Sequence, residues 1–292
     1  MPNPIHDTHV HLDLLLEFLG ILTDVRAGSF EKELATNPGL QNQIQVAIDK
    51  HLLEHSFVIQ STVSTPNFEF IQQILPQKTN PKLKLLLGSH PEIVKENFDL
   101  KDYLAYQQNL VHKFQQNYPF IGIGETGLDY HYTTDSNLIA TQKKLFESQI
   151  QLAIETNTTL VIHCRDAFSD LIQILKLNKE IHGKFLIHCF TGDTEILKQI
   201  LGLGGKAAYG GIITFGSSAN DLRDSLKYCP NDSFVLETDL PYLTPTPHRG
   251  QTNLPEFINL IATKAAEIRQ QSLEQIWSNS YKNTLELFRG LS

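Results

Sequence analysis

Five short stretches of this chain end in side chains able to bind cations or move protons. His9-Val10-His11 places two imidazoles at i and i+2. On an extended strand alternate side chains share a face, so both rings can reach one metal ion. Alone, such a pair is equally well two polar residues at a strand end, because short motifs recur by chance. Ile121-Gly-Ile-Gly-Glu125 closes an apolar run on a carboxylate and continues as Thr-Gly-Leu-Asp-Tyr. A buried carboxylate is costly unless paired, hydrogen-bonded or bound to a cation. The plainer alternative for Glu125 is a strand-end acid that caps the next loop.

Leu160-Val-Ile-His163-Cys-Arg165 and Phe185-Leu-Ile-His188-Cys189 are apolar runs that each end in His-Cys. Neighbours on a strand face opposite ways. With both histidines pointing inward, Cys164 and Cys189 point to the helix layer as small core residues. A thiolate ligand or nucleophile at either position is the alternative. Cys229, just before Pro230, reads as structural. Phe234-Val-Leu-Glu237-Thr-Asp239 ends in two acids that share a face by alternation, so that one can support the other.

Side chains spread from His9 to Asp239 meet only if a repetitive scaffold gathers them. Short β-branched runs alternate with longer amphipathic ones along almost the whole chain, the pattern of a parallel sheet. Candidate strands are Pro4 to His9, Ser56 to Val63, Lys82 to Ser89, Phe120 to Glu125, Thr158 to His163, Lys184 to Cys189, Lys206 to Gly210 and Ser233 to Asp239. Helical periodicity follows in Ala140 to Glu155, Asp166 to Leu177, Pro255 to Arg269 and Ser272 to Phe288. Eight such units predict an α/β fold, a single (β/α)₈ TIM barrel over residues 1–292. Such a barrel needs about 250 residues, and the surplus of roughly 40 falls between the first two strands. That stretch, Leu14 to His55, is an enlarged first βα connection containing GSFEKELATNPG. The runner-up, an open doubly wound sheet, would carry a Gly-rich phosphate loop after strand one, where this chain has HVHLD. In the barrel, four imidazoles and two carboxylates reach the C-terminal face, where active sites form. As empty core that set would be intolerable, and with divalent metal it becomes a ligand shell.

The 292 residues include 32 acidic and 24 basic side chains, a formal charge of −8 that argues against a basic nucleic-acid-coating protein. Three cysteines cannot build a disulfide framework and fit a reducing compartment. The apolar run from Leu12 to Leu22 is interrupted by Asp13 and Glu17 and follows no Lys or Arg, so neither a signal peptide nor a span is expected. With a mean hydropathy of −0.20, a folded cytoplasmic protein without membrane attachment is expected.

The ordered segments HVHLD, GSHPE, GETGLDY, LVIHCRDA, IHCFTGD, ETDLPYLTP and HRGQTNLP resemble the TatD-type metal-dependent deoxyribonucleases, a branch of the amidohydrolase-like metal hydrolases on a TIM barrel. The correspondence covers nearly the whole chain and fits poorly only over Leu14 to Leu40. The resemblance implies two divalent ions, Mg²⁺, Mn²⁺ or Zn²⁺. His9 and His11 would hold one with Asp239, His163 and His188 the other, and Glu125 would bridge. It implies attack of a metal-activated water on a phosphodiester, with Asp239 accepting or orienting the proton and Glu125 as its catalytic partner.

Arg165 matches the family's Ile-His-x-Arg pattern and would grip a substrate phosphate. Its plainer role is a helix-start arginine paired with Asp166 or Asp170. Arg249 is similar to the arginine of the family's Arg-Gly-Lys segment, with Gln251 replacing the lysine. His90 matches a strand-three histidine of relatives, with Glu92 where they have a second one, and is a substrate contact or a satisfied loop residue. The expected activity is a DNA exonuclease acting on DNA ends or short single-stranded nucleic acid. The alternative is hydrolysis of a small amide, lactone or phosphoester. Many such relatives bridge their metals with a carboxylated lysine, where this chain offers Glu125. A third class, a metal-bearing scaffold without turnover, would be expected to show a degraded ligand position, and none is evident.

Overall fold

The computed structural model describes residues 4–23, 33, 35–64, 80–117 and 120–291. Among these, β1 (His6–Val10), β2 (Phe57–Gln60), β3 (Leu83–Leu86), β4 (Phe120–Asp129), β5 (Thr159–Arg165), β6 (Phe185–Ile187), β7 (Lys206–Tyr209) and β8 (Phe234–Leu236) lie side by side in chain order, every neighbouring pair parallel. The ring closes where β8 meets β1. Val10 bridges Leu240, the His11 amide donates to Leu240 O at 2.9 Å, and the Asp239 amide donates to His9 O at 3.1 Å. Asp7 fastens this seam, its carboxylate accepting from the Thr238 amide at 3.0 Å and hydroxyl at 2.6 Å. A closed ring leaves no edge, which excludes the open doubly wound sheet.

The intervening helices are α1 (Leu12–Phe18), α2 (Leu40–His51), α3 (Leu100–Asn117), α4 (Ser136–Thr156), α5 (Phe168–Leu177), α6 (Thr194–Gly202), α7 (Asn220–Tyr228), α8 (Ile258–Arg269) and α9 (Leu273–Leu287). Local signals set their ends. Asp135 caps α4 by accepting from the Asn137 and Leu138 amides, and Asn157 ends it in the left-handed region at φ 51°. Ser272 and Gln275 form a reciprocal capping box at the start of α9. No helix among the described residues is long and apolar enough to cross a membrane.

Parallel strands buried on both faces are nearly continuous apolar runs. In β5, Leu160 and Ile162 join the core shared with the helices, while Val161 belongs to a separate cluster with Ile59, Leu86, Leu186, Ala208 and Val235. That second cluster fills the barrel, and Leu287 and Phe288 plug it from the end of α9. Two residues further along the same face from Val161, Leu186 and Val235 stand His163, His188 and Glu237. The polar residues thus form the next layer above an apolar plug.

All eight expected strands are present, with different limits. β4 continues through Glu125 to Asp129, because Thr126 to Asp129 pair with Ile162 to Arg165 of β5. Conversely, β6 and β8 stop before His188 and Glu237. The enlarged first connection carries α1 and α2. Half of GSFEKELATNPG, residues 28–32 and 34, lies outside the described residues.

Candidate metal centre

Glu125, only 3 % exposed, lies at the middle of the polar layer. Its two oxygens face different partners. Oε1 is 3.1 Å from His163 Nδ1 and 3.1 Å from His188 Nε2. Oε2 is 3.4 Å from His9 Nε2 and 3.5 Å from His11 Nε2. Asp239 joins the second group, with Oδ1 3.6 Å from His11 Nε2 and 3.9 Å from His9 Nε2. The His9 and His188 rings stack at 3.7 Å between centroids. The structure therefore brings His9, His11, Glu125, His163, His188 and Asp239 together.

Backbone geometry aims them. Asp239 adopts φ 57°, a left-handed conformation that aspartate tolerates better than most residues. The Glu125 amide donates to Thr62 O at 3.1 Å. A Cβ on Gly88 would collide with the Gly124 backbone, so the chain leaving β3 approaches β4 this closely beside Glu125 only because residue 88 is glycine, while Gly124 lets β4 approach Val161 of β5.

Two further acids lie behind the histidines. Asp129 Oδ2 accepts from His163 Nε2 at 2.9 Å, and its Oδ1 accepts from the His131 amide at 2.9 Å. The Gln142 side chain clamps the Asp129 backbone at both N and O, each at 3.0 Å. Glu237 Oε1 accepts from the Cys189 amide and stands 3.3 Å from His188 Nδ1, within ion-pair reach though not aligned as a hydrogen bond. Glu237 thus backs His188 rather than Asp239, the partner that strand alternation suggested, because β8 has already ended. Asp129 was missed by the sequence reading. Its signal was the even spacing from Glu125, which puts both on one face of β4.

The electrostatics follow from these neighbours. Burial opposes charge on Glu125, yet the imidazoles, His188 and His90 foremost, hold it well below the ordinary carboxylate range. Burial also opposes protonation of His11, but Asp239 and Glu125 overcome it and push the ring up to about 10. The same contest leaves His163 raised, through Asp129 and Glu125. It leaves His188 well above its usual value, through Glu125 and Glu237. Burial and then His188 lower His9. Carboxylates that stabilise cationic charge this strongly suit a divalent ion, and imidazole nitrogen with carboxylate oxygen is a donor set for Zn²⁺, Mn²⁺ or related ions. Donor atoms of His9, His11 and Glu125 fall within 4.8 Å of one another, as do those of His90, Glu125 and His163 and those of His9, His188 and Glu237. Buried Nδ1 atoms of His9 and His11 have no hydrogen-bond partner among the described residues. The residues fit a metal centre.

Above the layer opens a cavity of about 790 Å³ whose wall includes His11, Glu125, His163, His188, Asp239 and Arg165. His90 is also on the wall, 3.6 Å from Glu125 Oε1, and caps the turn at Pro91–Ile93 by accepting from the Glu92 amide at 3.2 Å. Burial and then His163 lower its pKa to about 3. Arg165 leans over the Tyr132 ring at 5.2 Å and donates to the Tyr132 hydroxyl at 3.3 Å. Asp170 instead pairs with Lys143 at 2.7 Å, and Asp166 with His131 at 3.1 Å. Arg249 is not brought to the cavity wall. It stacks on Phe215 at 3.7 Å and donates to Thr244 O at 3.3 Å.

Cys189 departs from the expected helix-facing core position. β6 ends at Ile187, so alternation no longer applies, and φ of 42° turns the residue into the cavity wall. Burial, then Asp239 and Glu237, raise its thiol well above the usual value, so it is no thiolate. Cys164 is buried and raised likewise, chiefly by burial.

A model of the TatD related DNase family matches residues 6–289. The chain is 38% identical over 169 residues to YabD of Bacillus subtilis, an uncharacterized metal-dependent hydrolase, spanning 58% of this chain and 65% of YabD. It is 31% identical over 234 residues to YcfH of Escherichia coli K12, another uncharacterized metal-dependent hydrolase, spanning 80% of this chain and 83% of YcfH. In three dimensions it is similar to YjjV, a TatD homologue from Escherichia coli, with a TM-score of 0.79 over 99% of both chains at 22% identity, a likeness of fold. With a family match running from the first strand to beyond the last helix, and a relative 31% identical of which 83% is covered, the chain belongs to the TatD related DNase family of metal-dependent hydrolases.

Proposed function

We propose that the protein is a divalent-metal-dependent phosphodiesterase that removes nucleotides from DNA ends or short single strands. The observation that carries this is the division of Glu125, with Oε1 toward His163 and His188 and Oε2 toward His9 and His11, on the wall of a cavity that Arg165 also lines. Two divalent ions, Mg²⁺, Mn²⁺ or Zn²⁺, would supply Lewis-acid charge that favours ionised water and stabilises the attacking and leaving oxygens of a displacement at phosphorus.

The chain's own residues would do the rest. His9, His11 and Asp239 would hold one ion and His163 and His188 the other, with Glu125 available to each through a different oxygen. Asp239, on the cavity wall and 3.6 Å from His11, is the carboxylate placed to orient the attacking water and take its proton. Arg165 presents a planar fork for a phosphate, steadied by Tyr132. His90, fixed by its turn, contacts substrate from the β3 side. Tyr132 and Tyr242 stand on opposite sides of the mouth, since β4 and β5 lie across the ring from β8 and β1. The two residues are 71% and 38% exposed, and their rings suit stacking with unpaired bases. The net charge of −8 permits no broad electrostatic clamp, so attraction would be local to the ions and Arg165.

A second reading rests on size. A cavity of about 790 Å³ also suits a small amide, lactone or phosphoester. Single-stranded oligonucleotides and small esters offered side by side with Mg²⁺ or Mn²⁺ separate the two. Nucleotide release is expected, and Asp239→Asn should lower kcat by about 10²- to 10⁴-fold with the fold intact. Turnover of the small esters alone, or unchanged release by the variant, refutes the proposal.

A further inference from the structure

We infer that the two ion positions of this centre are unequal, and that Asp129 and Glu237 are positioning residues that make the His163–His188 position the tighter one. The inference rests on the two-ion reading proposed above. Its starting point is the asymmetry behind the histidines. On the Oε1 side of Glu125, each ring has a carboxylate at its far nitrogen. His163 turns Nδ1 to Glu125 at 3.1 Å and Nε2 to Asp129 at 2.9 Å. His188 turns Nε2 to Glu125 at 3.1 Å and Nδ1 to Glu237 at 3.3 Å. The Asp129 hydrogen bond selects the Nε2–H tautomer of His163, while Glu237, near His188 Nδ1 but not aligned with it as a hydrogen bond, favours a proton there through charge. Each ring then presents its other nitrogen to Glu125 Oε1.

The supporting acids are themselves held. Asp129 is 4% exposed and tied to the His131 amide, while Gln142 clamps its backbone. Glu237 is 0% exposed and tied to the Cys189 amide. On the Oε2 side no carboxylate among the described residues makes an ion pair with a far nitrogen, and the buried Asp13 acts on His11 only from farther off. The Nδ1 atoms of His9 and His11 are buried and lack a hydrogen-bond partner. Their third companion, Asp239, stands farther off at 3.6 and 3.9 Å.

An imidazole whose far N–H is held by a carboxylate, as His163 is by Asp129, is already in the right tautomer and orientation, is the more basic ligand, and loses less freedom on binding. A carboxylate near the far nitrogen, as Glu237 is for His188, acts the same way more weakly. The closeness of the Asp129 and Glu237 carboxylates to the far nitrogens acts in the same direction. The Oε1 position therefore fills first and the Oε2 position second, at higher metal concentration.

The test is a calorimetric titration of the metal-free full-length chain with Co²⁺, followed in parallel by visible absorption of the bound ion. The wild type should take up two ions in resolved steps. Asp129→Asn and Glu237→Gln should weaken the first step by about 10- to 100-fold and alter its absorption, leaving the second step unchanged. His11→Asn should abolish the second step and spare the first. Near-UV circular dichroism of the metal-free variants checks the fold. Should the buried Glu237→Gln fail to fold, Asp129→Asn decides alone. Equal weakening of both steps, or no change in the first, overturns the role of the two acids. Uptake of a single ion per chain overturns the two-ion reading, and this inference with it.

Discussion

Histidine takes opposite states in this molecule according to what faces it. His163 and His188 each stand between two carboxylates and are held above their ordinary pKa. His6 is as deeply buried and faces no acid. Its Nδ1–H donates to Pro4 O at 2.9 Å and its Nε2 accepts from the Ser280 hydroxyl at 2.9 Å. Ser280 Oγ in turn accepts from the Leu236 amide at 3.0 Å. Burial pushes His6 down to about 4. The unfolded chain, titrating near 6.5, binds the proton first, so the stabilisation is full above about pH 6.5 and is lost as pH falls toward 4, roughly 3 kcal/mol for this one group. Urea unfolding compared between about pH 7.5 and 4.5 should show a shallower pH slope for His6→Gln than for the wild type, by about one proton. Identical slopes would mean that His6 does not contribute to acid sensitivity.

Strands β3, β4 and β5 approach each other more closely than side chains permit. Gly88 lies against the Gly124 backbone, and a Cβ on Gly127, at φ 146°, would strike the His163 carbonyl. The glycines that look like punctuation in Ile-Gly-Ile-Gly-Glu-Thr-Gly are contact points inside a strand of 10 residues. Gly127→Ala should cost about 1–3 kcal/mol by overpacking and weaken metal uptake by displacing His163. Gly202→Ala at the end of α6, where nothing lies within 4 Å of the added carbon, should be neutral or slightly stabilising. Thermal unfolding and metal titration of both variants check this. A Gly127→Ala protein as stable as the Gly202→Ala one would show that β4 and β5 can part without penalty.

The barrel as a whole turns chain order into proximity. His9 and Asp239 come from the first and last strands and are neighbours because the ring closes between them, at the Val10–Leu240 bridge and the Asp7–Thr238 clasp. The same closure sets Tyr132 and Arg165 across the mouth from Tyr242. A molecule of charge −8 that grips its substrate only here should show a shallow salt dependence. One or two phosphate contacts on a single strand correspond to a slope of about −0.7 to −1.4 in log affinity against log salt. KM for an oligonucleotide, measured across ionic strengths at saturating metal, tests this. A much steeper dependence would reveal a charged groove and contradict a locally held strand.

Local pattern alone determined the architecture and put the four central histidines, Glu125, Glu237 and Asp239 at strand ends, and the family resemblance singled out Asp239 from the last two. Apolar runs of parallel-strand length recur eight times, and His163, His188, Glu125 and Asp239 sit at or just beyond those runs, which a barrel can only gather on one face. Tertiary structure alone decided the finer arrangement. Where β4, β6 and β8 stop depends on hydrogen-bond pairing with neighbours far away in the chain, so Asp129 moved into a strand while His188 and Cys189 moved out of one. The pairing of Asp129 with His163 and of Glu237 with His188, the withdrawal of Arg249 onto Phe215 and the division of the Glu125 oxygens followed from those endpoints. Alternation along a strand is local and survives in sequence, whereas the direction a side chain takes once the strand has ended is set by long-range contacts.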